Sequence, residues 1–209
     1  MPSGALGAVA SGHREVSEAA AVALREGGTA FDAALAAGFA ACVAEPMFAS
    51  LGGGGFLLAR TADGEEMLFD FFVDAPGRGL AAAALEPHVE PMTVHFPASD
   101  QVFNIGLGSV AVPGVLRGLL EAHRALGVLP LRVLVEPAAA LAREGVVPNA
   151  HQAYVQELLT PTATLSAPGR PIHAPARPTP RHGERGVKPH LAPPLDSQPG
   201  AARAAYPPA

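Results

Sequence analysis

Tryptophan is absent from this chain of 209 residues, aromatic residues make up only 5% of it, and cysteine occurs once, at Cys42. With so few rings the core has to be built mainly from Ala, Val and Leu, which favours closely packed helices and sheet. One cysteine excludes an intrachain disulfide, and its setting in AALAAGFAACVAE reads as that of a small buried hydrophobe, not a reactive thiol. No Cys/His pair has the spacing of a zinc site. His13, His88, His95, His123 and His151 show neither HExxH nor any other paired spacing, so no metal is expected. Hydrophobic residues reach 49%, yet no run attains the roughly 18 consecutive apolar residues of a membrane span. The start, MPSGALGAVASGHRE, lacks a basic segment followed by an apolar one, so no signal peptide is visible and the chain as written is expected in the cytoplasm.

The net charge of −5 is unevenly spread. Residues 1–160 carry 8 Lys and Arg against 17 Asp and Glu, whereas residues 161–209 carry 6 against 2 and hold 12 of the 22 prolines. This shift divides the chain into a folded region, 1–160, and a tail, 161–209. The tail has neither a helical nor an alternating pattern and little apolar material to offset the entropy of ordering it, so it reads as disordered. Its Pro, Ala, Arg, Gly and His are also what GC-rich codons give out of frame, so loss of the reading frame near residue 160 is a second reading. A basic interaction segment is a third.

The organising stretch is EPMFASLGGGGFLLARTADGEEMLFDFFVDAP, residues 45–76. Four successive glycines, Gly52 to Gly55, suit a sharp turn or a close approach of backbone or ligand. GFLLART and EMLFDFFV then read as the strands of a hairpin, with Ala62, Asp63, Gly64 and Glu65 as its turn. Upstream, LGAVAS (residues 6–11) reads as a first strand, and Ser11 or Ser17 as the cap of a helix ending at Gly27 and Gly28. Thr29 opens a second helix, with Asp32 placed for a capping box and Pro46 as its end. Residues 73–108 read as a long loop, followed by a short strand in GSVAVPG (108–114). VLRGLLEAHRALG reads as a helix, LRVLVEPAAALAREG as a helix that kinks or restarts near Pro137, and HQAYVQELL as a last weak helix. Helices around a hairpin imply a layered α/β (α+β) arrangement.

Few motifs carry chemistry. The glycine run follows a helix and precedes a strand, the reverse of a dinucleotide loop, and no GK[ST] follows it. Asp70 and Asp74 read as turn formers more readily than as a carboxylate pair, and no GxSxG elbow is present. The residues alone give no complete catalytic set.

Several segments in order carry a resemblance. GAVASGHREVSEAAAVALREGGTAFDAALAAGFAACVAEP, SLGGGGFLL, LFDFFVDAPGR and GSVAVPGVLRGLLEAHRALGVLPLRVLVEPAAALAREG resemble the start of the large-subunit region of the γ-glutamyltransferase (glutathione hydrolase) family, over residues 6–150. The resemblance implies an N-terminal nucleophile hydrolase fold, a four-layer αββα sandwich matured by self-cleavage, of which only the N-terminal part is present. It implies a Thr nucleophile at the start of a small subunit, with its own α-amine as activator. It also implies backbone N–H stabilisation of the oxyanion, and γ-glutamyl transfer from glutathione or a related amide to water or an amine. No metal, redox or other cofactor follows from it, and neither nucleic acid nor a membrane span is expected as a partner. Family members are often periplasmic, secreted or membrane-anchored.

Two departures qualify the resemblance. The catalytic Thr lies beyond the matched region, and Thr160, Thr162 and Thr164 lack its surrounding motif, so no catalytic or substrate-binding residue is carried over. Where the family has DFRE and its Arg grips the substrate α-carboxylate, this chain has Asp70, Phe71, Phe72 and Val73, so Phe72 occupies the Arg position. Arg78 lies nearby in sequence. The parent on this reading is a divergent acylase of the same fold, and the chain a fragment that acts on an amide only with a catalytic small subunit supplied. The alternatives are a non-catalytic ligand- or partner-binding descendant and a nucleotide-binding α/β module.

Overall fold

Ala-rich helices dominate the computed structural model, which describes residues 7–81, 86, 88–164, 183–193 and 195–196. They fall into two units, the first drawn from Met1–Val73, Pro113–Val146 and Arg185–Ala209, the second from Asp74–Val112 and Val147–Glu184.

In the first unit α1 (Arg14–Arg25) buries Val16, Ala19, Ala20 and Ala23, a stripe at helical spacing. Its cap is His13, whose Nδ1 accepts from the Glu15 amide at 3.1 Å, and neither Ser11 nor Ser17 takes that place. The Ser11 hydroxyl instead donates to the His13 carbonyl at 2.8 Å. Residues 7–11 run into the cap without strand pairing, so the expected first strand is not formed among the described residues. α2 (Ala30–Ala44) is capped as its sequence predicts, by Thr29 and Asp32 in a reciprocal capping box. It is apolar nearly all round and packs against α1, α3 (Val115–Leu126) and α4 (Leu131–Glu144). Phe39 and Leu35 are its largest buried side chains. α4 continues through Pro137 as one helix.

The predicted hairpin forms antiparallel strands β1 (Phe56–Arg60) and β2 (Glu66–Asp70) in the register Leu57↔Phe69 and Ala59↔Met67. Leu57, Phe69 and Phe71 pack on the helices. The other face holds Phe56, Leu58, Leu68 and Phe72, which are 60%, 75%, 63% and 61% exposed.

The second unit departs more from expectation. The stretch read as a long loop contains a second hairpin, β3 (Glu90–His95) with β4 (Asp100–Ile105), tied across its end by His95 and Asp100 at 2.8 Å. GSVAVPG forms no strand: Leu107–Ser109 is a single 3-10 turn and Val112 makes one isolated bridge to Asp74. α5 (Ala150–Ala163), capped by Asn149 with Gln152, lies against β3 and extends past Thr160.

Part of the stretch read as a structureless tail, from Arg185 onward, is also placed in the first unit. Residues 183–193 and 195–196 are described, Leu195 is 1% exposed, and Gly186 bridges to Val146. A few buried apolar and cationic contacts order this segment without any periodic pattern. The rest of the tail, 165–182, 194 and 197–209, lies outside the described residues.

Candidate functional site

The glycine run works as a spacer between elements. The Gly53 carbonyl accepts from the Gly114 and Val115 amides at 2.9 and 3.0 Å, so protein already occupies these donors at the start of α3. A Cβ on Gly54 would overlap the backbone at Val73, one on Gly114 the Phe71 carbonyl, and one on Gly118 the Phe71 ring. Hairpin, run and helix therefore meet at backbone distance, which side chains would forbid. These two amides are therefore not open to an anion.

Beside the run lies an apolar cleft of about 400 Å³, lined among others by Gly38, Ala41, Cys42, Phe48, Phe56, Phe71 and Leu119. Burial pushes the Cys42 thiol up to about 12, which leaves it protonated and unreactive. At its rim the Phe56 ring stacks on Phe72, with centroids 5.4 Å apart and planes at 8°. Phe72 follows β2 directly, and its amide donates to Asp70 Oδ1 at 3.0 Å, which fixes the chain as it leaves the strand. The cleft thus presents rings and methyl groups and no fixed charge from its own lining.

The remaining candidates are engaged in local structure. In the second unit Asp74 takes Arg78 at 2.6 Å and the Ala75 amide at 2.8 Å, and the Arg78 hydrogen bond holds its carboxyl below the usual range. Thr160, Thr162 and Thr164 donate their hydroxyls to the carbonyls of Gln156, Leu159 and Thr160 at 2.7, 2.6 and 2.8 Å. These are bonds a hydroxyl makes within its own helix. His123 Nε2 meets the Leu129 carbonyl at 2.8 Å, and His13 caps α1. Among the described residues no three His, Cys, Asp or Glu gather as a metal site, and no helix is long and apolar enough to cross a membrane.

Sequence reasoning did not single out Phe56, Gly114 or Gly118 as parts of this site. Their signal is the pairing of small residues in α3 with a large ring after β2, which only the fold brings together.

The fold has clear relatives among solved structures. The γ-glutamyltranspeptidase of Helicobacter pylori superposes with a TM-score of 0.79 at 26% identity, over 97% of this chain and 57% of that one. The mixture of helices and hairpins is accordingly that of the N-terminal part of an α+β N-terminal nucleophile hydrolase. The model of the gamma-glutamyltranspeptidase family matches residues 16–198, and the chain belongs to that family. Among curated relatives, the acylase ACY 1 proenzyme of Pseudomonas sp. (strain SE83) is 39% identical over 145 residues, which is 69% of this chain and 26% of that protein. The glutathione hydrolase proenzyme of Escherichia coli (strain K12) is 35% identical over 143 residues, 68% of this chain and 23% of that protein. The chain thus spans about a quarter of the length of the curated relatives it matches. The family match also continues beyond residue 150, where the resemblance read from the sequence stops. Neither the ligand-binding descendant nor the nucleotide-binding module gains support from these likenesses.

Proposed function

We propose that the chain is part of the large-subunit region of a γ-glutamyltransferase-like enzyme, that residues 1–209 do not carry the nucleophilic Thr, and that a Thr-led small subunit completes it. The observation that carries this reading is the two-faced hairpin. β1 and β2 are apolar on the side packed against helices, and the side left exposed carries Phe56, Leu58 and Leu68, continued by Phe72, beside the charged Arg60, Glu66 and Asp70. Large apolar side chains gathered on an exposed face mark a surface to be covered. A second sheet brought by the small subunit fits that need, and the chain's share of its relatives' length agrees with it. In the assembled enzyme the Thr hydroxyl attacks the amide carbonyl, the amine leaves, and water or an acceptor amine releases the acyl group. Backbone N–H groups would hold the oxyanion.

The acyl end of the substrate is the finer part of the proposal. On the family pattern Phe72 stands where an Arg would bind a free carboxylate, and its ring is stacked on Phe56 beside an apolar cleft. A guanidinium offers paired donors to a carboxylate and a phenyl ring offers none. This supports an acylase-like substrate, an amide whose acyl group is held by apolar contact, over glutathione. The identity to the Pseudomonas acylase agrees with that choice.

Co-expression with the small subunit of that acylase tests both parts. The expected outcome is co-purification of the two chains and amide hydrolysis by the pair, with no glutathione hydrolysis by the isolated chain. Turnover of glutathione by the isolated chain, or two chains that never associate, would overturn the fragment reading. In the active pair, Phe72→Arg should raise the rate on a γ-glutamyl anilide relative to an uncharged acyl anilide. An unchanged ratio would overturn the substrate half alone.

A further inference from the structure

Residues 185–193, 195 and 196 belong to the stretch that composition sets apart, yet they run along the ends of two helices in the first unit. Gly186 exchanges two backbone hydrogen bonds with Val146, at 2.8 and 2.9 Å. The Lys188 amide donates to the Ala142 carbonyl at 3.2 Å, and Arg185 Nη1 donates to the Gly145 carbonyl at 2.7 Å. Lys188 Nζ reaches the Val43 carbonyl at 2.7 Å. Beyond these, Ala192 and Leu195 are buried in the common core, and Asp196 pairs with Arg143 at 2.8 Å.

The acceptors have a common property. Ala142 and Gly145 lie in the last turn and at the cap of α4, and Val43 in the last turn of α2. The last four carbonyls of a helix have no partner within it and form the negative end of its dipole. α2 has no basic residue in its own last turn. In α4, Arg143 is already paired with Glu136 and Asp196. Lys188 and Arg185 therefore supply, from 145 and 40 residues away, cations that the local sequence does not.

We infer that residues 185–193, with Leu195 and Asp196, are a capping strap that clasps the C-terminal ends of α2 and α4, with Lys188 as the latch, and that it opens and closes as one piece. Charged groups on the three elements are Asp32 on α2 and Glu45 at its end, Arg132, Glu136, Arg143 and Glu144 on α4, and Arg185, His190 and Asp196 on the strap. None of the carboxylates forms an ion pair with Lys188, and burial alone draws its ammonium down to about 8. A lysine kept without a counter-charge is held by carbonyls alone, so the latch has one short contact to break.

Lys188 is the only lysine in the sequence, which makes the latch directly readable. The full chain is treated with a small N-hydroxysuccinimide ester near neutral pH, and labelling of Lys188 is followed by mass spectrometry. The α-amine of a short reference peptide added to the same reaction serves as control. Lys188 should react at least ten-fold more slowly in the native chain than in denaturant, with the α-amine little changed. The Val146, Gly186 and Lys188 amides should exchange hydrogen together. Leu195→Asp should bring Lys188 to the denatured rate. Asp196→Ala, which removes the surface clasp to Arg143, should speed labelling a few-fold in a chain that still folds. Labelling of native Lys188 at the denatured rate while the α2 and α4 amides stay protected would overturn the proposal. So would a chain whose α2 and α4 amides are themselves unprotected, because the strap would have no helix ends to cap.

Discussion

At the scale of single residues, Asp32 ties more of the sequence together than any motif does. Fully buried, its carboxylate accepts from the Thr29 amide and hydroxyl at 2.8 and 2.9 Å and from the Val128 and Leu129 amides at 3.0 and 3.1 Å. It is at once the capping-box residue of α2 and the clamp on the loop between α3 and α4. Burial pushes its carboxyl up, but the four hydrogen bonds outweigh burial and leave it below its ordinary value of 3.8. Asp32→Ala would leave those donors unsatisfied and should cost about 3 kcal/mol, measured as a lower urea midpoint at unchanged slope. A carboxyl with a depressed folded value adds stability above its unfolded value and loses it as pH falls through the folded one. The gap between wild type and variant should therefore narrow in acid. Lys188 has the opposite chemistry and the same sign. Its folded value is about 8 against an ordinary 10.5, so the chain should gain stability as pH rises between them, and Lys188→Met should flatten that rise.

At the scale of elements, legibility followed locality. α2 was readable because Thr29 and Asp32 sit three residues apart at its start, and α3 because Val115, Leu116, Leu119, Leu120 and Leu126 recur at helical spacing before Gly127. The cap of α1 was not, because a histidine that accepts through Nδ1 belongs to no common capping pattern. The β3–β4 hairpin was hidden by Pro91 and by strands whose faces are both largely exposed, so neither alternation nor a clean turn announced it. The packing of the glycines was invisible for a different reason: Gly118 meets Phe71, which comes from another element altogether. That contact yields a prediction in which two effects oppose. Alanine is the better helix former by up to about 1 kcal/mol, but its methyl would overlap the Phe71 ring, and overpacking of this kind costs about 1–3 kcal/mol. Overlap should win, so Gly118→Ala should lower the thermal midpoint, and Gly118→Ala with Phe71→Leu should recover part of the loss.

At the scale of the whole molecule, the exposed face of β1 and β2 and the open edges of a two-stranded sheet are the dominant liability. The isolated chain should bind a hydrophobic dye and scatter light at micromolar concentration, and a small-subunit partner should suppress both. A monodisperse monomer with a cooperative melt would sink the fragment reading. The candidate site was only half legible at this scale. Phe72 and the glycine run stood out in the sequence, while the stack on Phe56 and the strap over α2 depended on how distant segments meet. One further consequence belongs to α2, whose Ala33, Ala36, Ala40 and Ala44 are buried among neighbouring helices. Four alanines on faces shared with α1, α3 and α4 let those helices approach α2 closely, so this one helix sets the distances at which the rest of the first unit is assembled.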